Sequence, residues 1–242
     1  MKKLILASAV LMLGHGAFAQ GTIIFNNRAG SSSTAAPGIV IAPVYGPENN
    51  DPYSSYWKMG NTSTGNPMGS QTYSGSPIHA GYLGATWTVT LWGLESSLVT
   101  GQDGINNLVL IGTTTFRTTT SGNFAGTIIQ PAAPSIVPGV TNASQRGTFE
   151  VRVWDTQEGT VTTWDEALNK ALYGYSGLFT VPFPLGGTMT PPNPAPFLQG
   201  LQSFNVGMFV PEPGAFCLMA LSGGSVLLFC RLRKLKQRTG SK

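Results

Sequence analysis

Thr148 to Trp154 alternates without a break, with Phe149, Val151 and Val153 apolar and Glu150, Arg152 and Trp154 between them. Successive side chains of a strand point to opposite faces, so the stretch predicts a strand with one face in a core, as in an antiparallel sheet. Thr86 to Trp92 repeats the pattern, with Trp87, Val89 and Leu91 on one side. Leu108 to Gly112 is instead a continuous apolar run, which predicts a strand buried on both faces. Further strands are expected over Gly21–Asn27, which stops at an Asn pair, over Leu178–Val181 and over Gln202–Val210. Between them lie Gly-, Ser-, Pro- and Asn-rich connections, the longest from Ser31 to Gly81. One helix is expected, because Thr163 and Glu166 have the spacing of a capping box and Gly174 fits a C-terminal stop. The fold class that follows is all-β, an antiparallel β-sandwich of jelly-roll-like or immunoglobulin-like kind with long loops and one short helix.

The two ends carry a different message. Met1-Lys2-Lys3 is a cationic start, Leu4 to Leu13 an apolar run, and Ala17-Phe18-Ala19 has the small-x-small form that precedes a cleavage site. Residues 1–19 therefore predict a signal peptide removed by signal peptidase between Ala19 and Gln20. At the other end, Pro211-Glu212-Pro213 is a rigid turn, since each proline fixes φ and removes a donor. The uncharged run Gly214 to Cys230 follows, and Arg231, Arg233, Lys234, Lys236 and Arg238 close it. As a helix that run rises about 25 Å, short of about 30 Å of hydrocarbon, and the arginines close the gap by snorkelling. The cationic cluster keeps its end cytoplasmic and leaves the upstream residues outside.

Pro-Glu-Pro, a short span and a terminal basic cluster, in that order, resemble the PEP-CTERM sorting signal of Gram-negative bacteria. The resemblance covers about the last thirty residues. It implies recognition of Pro211, Glu212 and Pro213 by a membrane-embedded exosortase, and the company of exopolysaccharide production in which such proteins are found. It says nothing of residues 20–209, because the signal is attached to unrelated bodies. The chain is thus expected to divide into 1–19, an extracytoplasmic domain over 20–209, and a sorting and anchoring segment over 210–242.

Removing the ends reverses the charge. The whole chain is +4, but residues 20–209 hold six Lys and Arg against nine Asp and Glu, a net charge of about −3. No basic patch interleaved with aromatics remains, so nucleic-acid binding is not expected. Cys217 and Cys230 both lie in the tail, so the body has no disulfide to rely on and needs an ordinary core. Charged residues are 10% of the chain, against about 25% in typical domains. Threonine, serine and asparagine supply the polarity instead, and they suit strands and loops better than helix surfaces.

The residues offer little chemistry. His79 is the body's one histidine, and without cysteine or a second histidine it lacks the partners of a zinc site or a nucleophile system. Asp155, Glu158, Asp165 and Glu166 are carboxylates of the kind glycoside hydrolysis uses in pairs. Asp165 and Glu166 are more simply first-turn acids of the helix, and Asp155 and Glu158 a strand end and turn. Asp103 to Asn107 has oxygen ligands but not the spacing of an EF-hand loop, and reads as a polar turn. No catalytic residue, cofactor or metal is expected.

Trp92 and Trp154 sit opposite the apolar stripes of their strands. Exposed there, they would stack on sugar rings; under a covering layer they would be core. The expectation is a non-enzymatic, exported surface or extracellular-matrix protein. The alternative is an extracellular carbohydrate-binding protein or a glycoside hydrolase.

Overall fold

The computed structural model describes residues 21–29, 36–49, 58–100, 106–142, 144–189 and 191–208. They are mostly strands with one short α-helix, and among them no helix is long and apolar enough to cross a membrane. Packing divides the chain into Met1–Phe209 and Val210–Lys242, and every described residue belongs to the first unit. Ala19 and Gln20, the Pro211-Glu212-Pro213 motif, the apolar run and its basic cluster therefore lie outside the described residues, as do Trp57 and Asp103 to Ile105.

In chain order the strands are β1 (Thr22–Ile23), β2 (Arg28–Ala29), β3 (Val40–Ile41), β4 (Val44–Tyr45), β5 (Trp87–Glu95), β6 (Val109–Thr114), β7 (Ser135–Ile136) and β8 (Gly147–Asp155). Helix α1 (Trp164–Lys170) follows, then β9 (Leu172–Tyr175), β10 (Phe179–Thr180), β11 (Phe204–Asn205) and β12 (Gly207–Met208). The two alternating stretches become the longest strands and pair with each other. β5 and β8 run antiparallel through nine positions, from Trp87 opposite Asp155 to Glu95 opposite Gly147. Around them the main sheet has the order β12-β9-β8-β5-β6, with β10 continuing the β9 side along β8. Three two-stranded ribbons complete the fold: β1 with β7, β2 with β3, and the parallel pair β4 with β11.

The predicted apolar stripes face one core. Val89, Leu91, Phe149, Val151 and Val153 pack against Ile23, Phe25, Val44, Phe116 and Phe204 from the ribbons and loops. Burial of each such side chain is worth about 1.5–3 kcal/mol, so the central pair and the ribbons depend on each other. Gly93 allows a close approach, because a Cβ there would stand 2.5 Å from the Phe149 ring. Buried Asn27 ties the ribbons together with its whole carboxamide. Its Nδ2 donates to the carbonyls of Ala42 (3.0 Å) and Gly126 (2.9 Å), and its Oδ1 accepts from the Ile128 N–H (3.0 Å). The Asn pair read as a strand stop is a polar staple.

Two expectations are corrected. Leu108 to Gly112 is not buried on both faces: it feeds β6, the edge of the main sheet, where Val109 is 43% and Leu110 47% exposed. Only Ile111 of the strand packs on the core, and the register slips at that residue, a bulge opposite Leu91 and Trp92. A continuous apolar run records affinity for burial but cannot supply a second neighbour. Gly174 is likewise not the helix stop, because the helix ends at Ala171, whose backbone is extended. Gly174 lies in β9 opposite Val153, where a Cβ would meet the Asn205 carbonyl oxygen at 2.6 Å.

Away from the main sheet, Tyr45 stacks on Tyr73 at 4.1 Å between ring centres. Beside them Glu48 accepts from Lys58 Nζ (2.7 Å) and from the Ser74 hydroxyl (2.6 Å). Burial pushes the Glu48 carboxyl up, but Lys58 and Ser74 outweigh it and hold the group below the usual carboxylate range.

Candidate functional site

The second face of the central pair is assembled by the same register. Thr90 stands opposite Arg152, Trp92 opposite Glu150, and Thr88 opposite Trp154. On the flanks, Tyr173 and Tyr175 of β9 lie opposite Trp154 and Arg152, and Leu110 of β6 lies opposite Trp92. One face therefore gathers aromatics, hydroxyls and an ion pair, while the centre of its reverse is apolar, with Glu95 and Asp155 only at the strand ends.

Helix α1 is laid over one end of this face by its capping box. The Glu166 N–H donates to Thr163 Oγ1 (3.3 Å), and Glu166 Oε2 accepts from the N–H groups of Thr162 (2.9 Å) and Thr163 (3.2 Å). Those backbone donors hold the Glu166 carboxyl below its ordinary range. The pinned first turn places Trp164 edge-on against Trp154 (6.0 Å), Tyr173 (5.5 Å) and Tyr175 (6.4 Å). Ala167 and Ala171 close a small second core with Trp154 and Val161.

Trp92 and Trp154, alike in sequence, part company here. Trp154 is 4% exposed and donates its indole N–H to the Val161 carbonyl at 3.4 Å, so most of its ring belongs to the second core. Of the two alternatives open to it in the sequence, Trp154 takes the core one, because the helix covers it. Trp92 lies beyond the reach of the helix and stays half-buried, with its indole N–H on Thr90 Oγ1 at 3.0 Å.

Arg152 joins the two aromatic groups. Its guanidinium carbon is 4.4 Å from the centre of the Trp92 ring and 5.3 Å from that of Trp164, and its Nη2 donates to Glu150 Oε2 at 2.9 Å. Its Nε is buried without a hydrogen-bond partner. Between Trp92, Arg152 and Trp164 opens a cleft of about 230 Å³, lined also by Thr90, Leu110, an edge of Trp154 and the turn from Thr162 to Asp165. Aromatic walls, hydroxyls, the guanidinium paired with Glu150 and the Asp165 carboxylate at the rim suit a ligand with an apolar face and hydrogen-bonding edges.

The other candidates are engaged in the fold. Asp155 Oδ1 accepts from the Gln157 N–H at 2.8 Å, and Glu158 has φ of 58° in the turn that follows. Neither lines the cleft. His79 Nδ1 is 2.9 Å from the Ala80 carbonyl, and its ring meets Tyr82 edge-on at 5.6 Å. Among the described residues no cluster of His, Cys, Asp and Glu could hold a metal ion. Sequence reasoning missed Arg152 and Trp164 as cleft residues. The capping box was the available signal, since it already places Trp164 at the first position of the helix.

Neither a family model, nor a curated protein, nor a solved structure matches this chain.

Proposed function

We propose that this chain is an exported, surface-associated, non-enzymatic β-protein whose cleft between Trp92 and Trp164 binds carbohydrate. Signal peptidase and an exosortase-type enzyme process its two ends, and the body is a β-sandwich in which the ribbons serve as the second layer. The observation that carries the binding role is the Trp92–Arg152–Trp164 arrangement on the face away from the main core. A pyranose ring has an apolar C–H face and a hydroxyl edge. The indoles suit the first, and the Arg152 guanidinium with Thr90, Thr162 and Thr163 suits the second. A matrix of exopolysaccharide would supply such a ligand.

A glycan-array screen of residues 20–209 tests the binding role. Glycans should be retained by the parent and lost by Trp92→Ala; no retained glycan, or equal retention by both, overturns it. The sorting role is tested separately by immunoblot of fractionated cells of the native host. Glu212→Ala should accumulate as an unprocessed, membrane-bound form, and normal maturation of that variant would make the segment an ordinary anchor.

A further inference from the structure

Among the described residues β6 ends the main sheet, with no strand paired on its outer side. Past Thr114 the chain is paired again, since the Ile129 N–H donates to the Thr115 carbonyl and the Arg117 N–H to the Thr127 carbonyl, both at 2.9 Å. Between Val109 and Thr113 no described loop forms a backbone hydrogen bond along that edge. Natural sheets guard such edges with charges or inward-pointing lysines. Here Leu108 to Phe116 contains no charged residue. Val109 and Leu110 are nearly half exposed, and Ile136 of β7 is 53% exposed beside an open groove of about 450 Å³ between β6 and Pro131 to Pro138.

We infer that this edge pairs with β6 of a second copy of the chain, in antiparallel register about a two-fold axis. Two observations select that occupant. The strand is uncharged, so self-pairing sets no like charges opposite each other. Pairing β6 on β6 is isologous and closes a symmetric pair. The bulge at Ile111 also fixes the register. Leu110 pairs with Trp92 and Thr113 with Thr90, so both face the cleft side; Val109 pairs with Gly93 and Thr114 with Val89, so both face the core side. Side chains stay on matching faces only if Leu110 meets the partner copy's Thr113 and Ile111 meets its Gly112.

A two-fold axis perpendicular to the sheet leaves equivalent faces on the same side. The two Trp92 clefts then open side by side, with Leu110 lining each and bordering the interface. Two linked sites raise retention on a polymeric ligand through effective concentration, without any new contact. The pairing itself does not depend on what the cleft binds.

The test uses the full chain in its native host, with a photo-activated cross-linking residue at Val109 and, as control, at exposed Leu83. Cross-linking from Val109 should yield a product of twice the monomer mass, and Leu83 should not. Leu110→Lys/Thr113→Lys should abolish that product, and Leu110→Lys/Thr113→Glu should restore it, because the register brings opposite charges face to face. Both positions are exposed, so circular dichroism melting should be unchanged in the two variants. Absence of the doubled band, a Val109 adduct of another mass, persistence in the double-lysine variant or failure of the charge-swapped one would each overturn the inference.

Discussion

The two faces of the β5–β8 pair are built from the same two strands, yet they do different work. On the core face Val89, Leu91, Phe149, Val151 and Val153 are enclosed in the main apolar cluster. On the other face Thr90 and Glu150 are also buried, but they are tied into a hydrogen-bonded and aromatic layer that includes an unpartnered guanidinium nitrogen. Exposure does not separate structure from site here. The chemistry of what is enclosed does: an apolar face contributes stability in proportion to area, while a polar one leaves groups able to exchange partners.

The sharpest way to break this comparison is to truncate each face and ask which property fails. Phe149→Ala empties the centre of the core, touching Gly93, Gly147 and Phe179, and should cost about 3–5 kcal/mol. Urea denaturation should show an early midpoint with the slope unchanged, while glycan retention in the folded fraction stays at the parent level. If stability is held and retention lost, the assignment of the two faces is reversed.

A smaller effect is expected at the helix that joins them. Thr163→Ala removes one half of the capping box and should cost about 1 kcal/mol. Because that box also positions Trp164, near-UV circular dichroism from the indole cluster should weaken, and retention should fall well beyond what the stability loss explains. Unaltered near-UV signal and retention would show that Trp164 is placed by its aromatic contacts alone.

The smallest effect lies away from both faces, at Glu48. Its carboxyl sits below the usual range in the folded chain, so the native state favours the charged form relative to the unfolded one. The stability this contributes is present above the unfolded carboxylate value and is lost as pH falls through the folded one. Melting temperature should therefore drop on acidification through the carboxylate range, with a shallower drop in Glu48→Gln. Parallel curves for parent and variant would show that the Lys58 and Ser74 contacts add nothing to the folded state.

Much of this was open to inspection in the sequence, and the reasons are local. Alternation at a period of two placed Phe149, Val151 and Val153 on one face and Glu150, Arg152 and Trp154 on the other, since strand geometry leaves no freedom in that choice. Thr163 and Glu166 declared the start of the helix because a capping box is satisfied within four residues. What the sequence could not settle was which strand lies next to which. The apolar run at Leu108 to Gly112 became an edge because β5 already holds β8 on its other side. Trp154 was buried and Trp92 left open because helix α1 reaches only one end of the face. Gly174 proved to be a close approach between strands, and the Asn pair a staple across residues 42, 126 and 128. Each of these outcomes depends on neighbours distant along the chain. Local pattern determines which way a side chain points, and only tertiary packing decides what it meets there.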